Sequence, residues 1–176
     1  MTARPDSAVA FDDPVEFIHR EHNRQIVILG AIERLADAPT APDTRETAAY
    51  ALDYLERELP LHVEDEERHL FPRLAARVSA DDGFEGILAA LRDEYEADDA
   101  YCRALMVDLH RLAEGRPLDD LVAFNHQARA FVGFQRRHLA WENSVLLPLA
   151  RRRLNAHDTA EHGRAMAARR GVTLTP

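Results

Sequence analysis

Two stretches of this 176-residue chain repeat one pattern: LHVEDEERHLFP at 61–72 and HLAWENSVLLP at 138–148. Each contains histidine, three residues, glutamate, three residues, leucine, an apolar residue and proline. Residues four apart lie one above the other on a single face of an α-helix. His62 with Glu66, and His138 with Glu142, would therefore each aim two donor side chains the same way. The repeat asks for two helices, each carrying an i, i+4 pair of metal-type donors.

The rest of the chain supplies helices to hold them. Asp13 and Pro14 read as N-cap and first helical residue, where proline's missing N–H is harmless. Val15, Ile18, His22, Ile26, Leu29 and Ile32 follow at spacings of three and four, which puts His22 in the apolar seam. After the break ADAPTAPD, a second helix starts near Asp43 and turns Ala48, Leu52, Leu55, Leu59, His62, Glu66, Leu70 and Leu74 inward. Pro60 is expected to kink or split it, and Pro72 to bend it again. The third helix, about 84–114, has a near-heptad seam of Phe84, Leu88, Leu91, Tyr95, Asp98, Cys102, Leu105, Leu109 and Leu112. The fourth runs to about Leu154, with Leu121, Asn125, Ala128, Phe131, Val132, Gln135, His138, Leu139, Glu142, Leu146 and Leu149 buried. A short last helix, capped by Asp158 and stopped by Gly171, is expected to pack across one end.

Four long amphipathic segments with short connections predict an all-α fold, an antiparallel up-down-up-down four-helix bundle with a short extra C-terminal helix. The bundle occupies 14–154, a flexible lead-in 1–13, and the extra helix and tail 155–176. Hydrophobic content of 46% with 30% charged residues and 7 glycines fits a helical protein with a sizeable core. A formal charge of -9 argues against a nucleic-acid footprint. The basic residues Arg151, Arg152, Arg153, Arg169 and Arg170 read as a solvated helix face. The single cysteine, Cys102, excludes an internal disulfide framework, and the first 14 residues show no apolar signal or membrane span. A cytoplasmic protein without membrane contact, monomeric or homodimeric, is expected.

The duplication extends beyond the two motifs. IHREH at 18–22 and LRDEY at 91–95 share an apolar residue, two residues, glutamate, then histidine or tyrosine. Each half is then a helix hairpin giving one donor from its first helix and His plus Glu from its second. At about 1.5 Å per residue, Glu66 and Tyr95 lie roughly 18 and 17 Å from the turn between their helices, on one level. Tyr95 and His138 lie roughly 29 and 30 Å from theirs, again on one level. Buried carboxylates need a partner. Metal ions shared by the two glutamates would satisfy this layer; the plainer alternative is a polar layer that fixes bundle register. Mixed imidazole and carboxylate donors suit iron or manganese, and imidazole also suits zinc.

Over about residues 14–154 the pattern resembles the hemerythrin-like, HHE cation-binding family, in which H, HxxxE, H and HxxxE on successive helices surround a non-haem di-iron centre. The LFP after the first HxxxE is also typical of that family. The resemblance implies His22, His62, Glu66, His138 and Glu142 as ligands, both glutamates bridging two oxo- or hydroxo-bridged iron ions, with zinc or manganese as alternatives. Tyr95 occupies the remaining histidine position, and three roles stay open for it. It can bind ferric iron as a phenolate, because a metal ion lowers a phenol's pKa of about 10. It can overshoot and leave one metal short of a ligand. It can be a core tyrosine bonded to Glu66 or Glu142. Asp98, one turn on, is expected to accept a hydrogen bond from a ligand histidine, or to substitute for Tyr95 as ligand. His19 and His69 read as seam-edge or surface residues, His126 as too distant, and His110, His157 and His162 as residues near helix ends. The family implies O2, peroxide or nitric oxide as ligand, and any enzyme activity would be metal-centred. The alternative is a metal-poor or zinc-binding bundle serving as an interaction or structural protein.

Overall fold

A computed structural model describes residues 11–174, without the side chains of residues 90–99. Tyr95 and Asp98 thus lie outside the described side chains. Among the described residues the regular structure is all helical: α1 (Pro14–Asp37), α2 (Thr44–Asp53), α3 (Leu59–Asp65), α4 (Phe71–Ala75), α5 (Phe84–Ala113), α6 (Leu121–Trp141), α7 (Leu147–Arg153) and α8 (Ala156–Arg169). Elements α2 to α4 form one long helix, and α6 with α7 another; α1 packs against α2 and α6, and α5 packs against the same two. None of the described helices is long and apolar enough to cross a membrane.

The caps follow the sequence. The Asp13 carboxylate accepts from Glu16 N–H at 2.9 Å, and Asp120 accepts from Val122 and Ala123 N–H at 2.9 and 3.0 Å. Gly115, at φ +73°, ends α5 in a left-handed conformation that a side chain would strain.

The prolines do not split their helices. Wide π-turns at Tyr54–Glu58, Glu66–Leu70 and Glu142–Leu146 carry the chain through, with Leu59, Phe71 and Leu147 N–H bonded to the carbonyls of Tyr54, Glu66 and Glu142. A proline follows each turn by one residue, at Pro60, Pro72 and Pro148. Proline lacks an N–H and its ring crowds the carbonyl four residues back; a wider turn gives that carbonyl room. Two of the three turns begin on the glutamates of the repeated motif.

The core is in two parts. One cluster includes Ile28, Ile32, Leu52, Leu109, Phe124 and Phe131; the other includes Val15, Ile18, Leu70, Leu74, Phe84, Leu146 and Leu149. On α1, on α2–α4 and on α6–α7 the chain passes from one cluster to the other through a buried polar interval containing His22 and Gln25, His62 and Glu66, and Gln135, His138 and Glu142. On α5, Leu88 belongs to one cluster and Leu105 to the other, and Tyr95 and Asp98 stand between them in the chain. Two apolar assignments are corrected: Ile26 is 43% exposed and Leu121 is 51% exposed. On α1 the inward positions after His22 are instead Gln25 and Ile28; on α6 the first is Phe124.

The last helix also departs from expectation. Asn155, not Asp158, caps α8: its side chain accepts from Asp158 N–H at 3.0 Å while Asp158 accepts from Asn155 N–H at 3.1 Å, a capping box. Helix α8 lies alongside the second helix rather than across an end. Asp158 meets Arg77 (2.7 and 3.1 Å), Glu161 meets Arg73 (4.0 Å), His162 stacks with His69 (ring centroids 6.2 Å apart), and Arg169 meets Asp65. Numbers rise on one partner as they fall on the other, so α8 runs antiparallel to α3 and α4. His162 is fully buried in this contact, and burial drives its pKa down to about 3.

Gly163 makes the close packing of α8 feasible, because a Cβ there would stand 2.1 Å from the Phe11 carbonyl oxygen. Alanine ordinarily favours a helix interior over glycine by roughly 0.5–1 kcal/mol. At this position the clash reverses the sign, and Gly163→Ala is expected to lose about 1–3 kcal/mol. Urea denaturation reads this as a lower midpoint; an unchanged or higher one would contradict the contact.

Candidate metal centre

Three long helices deliver the donors. His22 comes from α1, His62 from α3, and His138 from α6; Glu66 and Glu142 open the two π-turns. Because each glutamate sits four residues after its histidine in unbroken helical chain, both pairs face inward. His62 Nε2 is 3.5 Å from Glu66 Oε2, and His138 Nε2 is 3.0 Å from Glu142 Oε1. His22 joins the two pairs, with Nε2 3.6 Å from Glu66 Oε1 and 3.3 Å from Glu142 Oε2. Donor atoms of His22, His62, Glu66 and Glu142 all lie within 4.8 Å of one another. His138 reaches this group through Glu142.

The group is dry and under-satisfied. His22, Glu66 and Glu142 have no exposed surface, and His62 is 3% and His138 8% exposed. His22 Nε2 and all four carboxylate oxygens of Glu66 and Glu142 lack a hydrogen-bond partner among the described residues. Two buried carboxylates in that state carry a large desolvation cost. A bound cation is the chemistry that removes it. The orientation of His22 agrees: its Nδ1–H donates to Asn143 Oδ1 at 2.8 Å, which leaves the Nε2 lone pair facing the carboxylates.

The electrostatics separate the histidines. Burial opposes the charged form of His22, but the nearby carboxylates of Glu66 and Glu142 outweigh it and raise its pKa above the ordinary value. Burial dominates at His62 and lowers its pKa to about 4, with Glu66 opposing and His22 and His138 reinforcing the fall. Nε2 of His22 faces both carboxylates, whereas Nε2 of His62 faces Glu66, which accounts for the opposite directions.

Beside the site is a cleft of about 460 Å³. The buried residues His62, His138, Gln25 and Gln135 line it together with Leu55, Pro60, Cys102 and Met106, and exposed Glu67, Arg68 and Arg103 line it near the surface. Gln25 Nε2 donates to Gln135 Oε1, and Tyr54 O–H donates to Gln25 Oε1 at 3.1 Å. Tyr54 is held protonated by burial first and by the charge of Glu21 and Glu58 next. Cys102, half-buried, packs against the first core cluster and also lines this cleft.

The structure thus brings together His22, His62, Glu66 and Glu142, with His138 adjoining. His19 is partly exposed, as expected of an edge residue. Sequence reasoning missed Gln25, Asn143, Tyr54 and Asp65. Gln25, three residues after His22, carried a helical-spacing signal. Asn143 and Asp65 carried none, each standing beside a glutamate of the motif, off the inward stripe.

No curated protein sequence matches the chain. Among known protein families, the hemerythrin HHE cation binding domain matches it over residues 13–150, a span that holds His22, His62, Glu66, His138 and Glu142. The buried histidine and glutamate cluster is a candidate metal-binding site in a matching helical frame, and the chain belongs to the hemerythrin HHE cation-binding domain family.

Proposed function

We propose that this protein is a cytoplasmic, non-haem di-iron protein that binds O2, peroxide or nitric oxide, in an up-down-up-down bundle. His22, His62, Glu66, His138 and Glu142 would hold the metal, with both glutamates shared between two ions and Tyr95 as a sixth donor. The observation that carries this reading is the set of five buried donor atoms on His22, Glu66 and Glu142 that have no hydrogen-bond partner among the described residues. Iron with an open position supplies reversible small-ligand binding or redox chemistry. The protein's own contribution is to orient His22 through Asn143, keep the carboxylates dry, and offer the cleft beside His62 and His138 as the way in. Gln25 and Gln135, ordered by Tyr54, place amide groups in that way in.

The tyrosine at the remaining histidine position, between His62 and His138, favours a second reading, a site holding zinc, a single metal or none. Metal analysis and an optical spectrum of protein expressed with added iron and purified in air separate the two. Two irons per chain with near-ultraviolet bands are expected. A colourless, metal-free chain would sink the proposal. A visible phenolate-to-iron band that is lost in Tyr95→Phe would assign that residue as a ligand, and one that survives would remove it from the set.

A further inference from the structure

Asp65 is fully buried although it stands in the acidic run EDEE between His62 and Glu66. It has its own partners, distinct from the metal donors. Arg169 Nε donates to Asp65 Oδ1 at 2.7 Å, and a second guanidinium nitrogen of Arg169 reaches the same oxygen. Arg170 Nη1 stands 2.7 Å from Oδ2 as an ion pair, without hydrogen-bond alignment. Both arginines are themselves largely covered, at 14% and 16% exposure. Their assignment to a solvated helix face is therefore corrected, whereas Arg151 and Arg152 do lie on the surface.

Each arginine is tied down. Arg170 lies over the Phe17 ring of α1, 4.8 Å from its centroid, and donates to the Met166 carbonyl at 3.2 Å. One carboxylate thereby links α3, α8 and α1. Asp65 is also the last residue of α3 before the π-turn that opens on Glu66. A residue fixed at that junction fixes the direction in which the turn leaves, and with it the Glu66 side chain. The second copy of the motif is built differently: the residue before Glu142 is Trp141, which is 41% exposed.

We propose that Asp65 is a positioning residue for the metal centre, and that Arg169 and Arg170 make α8 a clamp on which metal retention by His62 and Glu66 depends. This rests on the metal reading above. The clamp works from outside the site, because successive helical residues point about 100° apart. It holds the backbone of α3 against α1 while Glu66 and His62 point inward. Loss of the clamp leaves every donor in the chain but frees two of them to move.

Cobalt(II) is a suitable probe, bound to the full chain and then withdrawn by excess chelator while its visible absorption is followed. Asp65→Ala and the double variant Arg169→Ala with Arg170→Ala are expected to release cobalt about 10- to 100-fold faster than wild type, the usual effect of removing a residue that orients a ligand. Their cobalt spectra should shift, and lysine at both arginine positions should recover part of the retention. Arg77→Ala, which frees only the far end of α8, should release at the wild-type rate. Clamp variants that match wild type in rate and spectrum would overturn the proposal. So would an Arg77→Ala variant as fast as they are, since that marks general loosening. Should the arginine variants not fold, the isosteric Asp65→Asn carries the same two outcomes. A wild-type chain that takes up no cobalt overturns the metal reading and the clamp together, whereas retained binding with unchanged release overturns the clamp alone.

Discussion

Glutamine in place of Glu142 is expected to abolish metal binding and to raise the melting temperature of the metal-free protein. The two effects have opposite signs because one carboxylate serves two states. Without metal, Glu142 is fully buried beside His22 and His138, and neither of its oxygens has a hydrogen-bond partner among the described residues. Glu66 stands against the same His22. Neutralising one of two crowded, desolvated carboxylates relieves the metal-free chain by about 1–2 kcal/mol. For a chain of this size that is roughly 2–8 °C. With metal, wild type gains about 2.7 kcal/mol at a hundredfold excess over the dissociation constant. Glu142→Gln should gain nothing, and Glu66→Gln should behave alike if both glutamates are shared. Thermal unfolding with and without metal, alongside metal analysis, measures both effects. A wild-type metal shift in Glu142→Gln, or a lower metal-free melting temperature, would refute the assignment.

Phe131→Ala should show the reverse: a large loss of stability with metal stoichiometry intact. Phe131 is 1% exposed in the cluster with Ile28, Leu109 and Phe124, and lies about 10 Å along the helix from His138. Deleting a buried phenylalanine side chain costs about 3–5 kcal/mol, counting the cavity left behind. The polar layer divides the core, so that cavity should stay on its own side of the layer. Chemical denaturation gives the loss, and metal analysis of the folded variant gives the stoichiometry. Loss of metal from folded Phe131→Ala would mean that the halves of the core are mechanically joined.

These contrasts show why some of the molecule was legible in the sequence. The His-x-x-x-Glu repeat is local, and helical geometry turns it into a shared face with no further information. Core positions on α1 and α6 were read less well. A buried glutamine at Gln25 breaks the apolar pattern that otherwise admits Ile26, and α6 buries its first side chain only at Phe124, three residues beyond Leu121. Prolines 60 and 72 were visible as obstacles, but whether the chain kinks or widens into a π-turn depends on packing. Asp65 lay furthest from sight. Its partners Arg169 and Arg170 are more than a hundred residues away, and an acidic run beside a basic tail ordinarily means two wet surfaces. Only the antiparallel seating of α8, which puts residues 65 and 169 side by side, makes them one contact.

That seating also gives the molecule an order in time. Asp65 and Arg169 are 104 residues apart in the chain, so α8 leaves the ribosome well after α3. At about 5–20 residues per second the delay is roughly 5–20 s. During it, His62 and Glu66 exist on a helix whose outer carboxylate has no arginine to meet. On the clamp proposal, a nascent chain brings His62 and Glu66 into place before it can hold them, and firm metal capture would wait for α8.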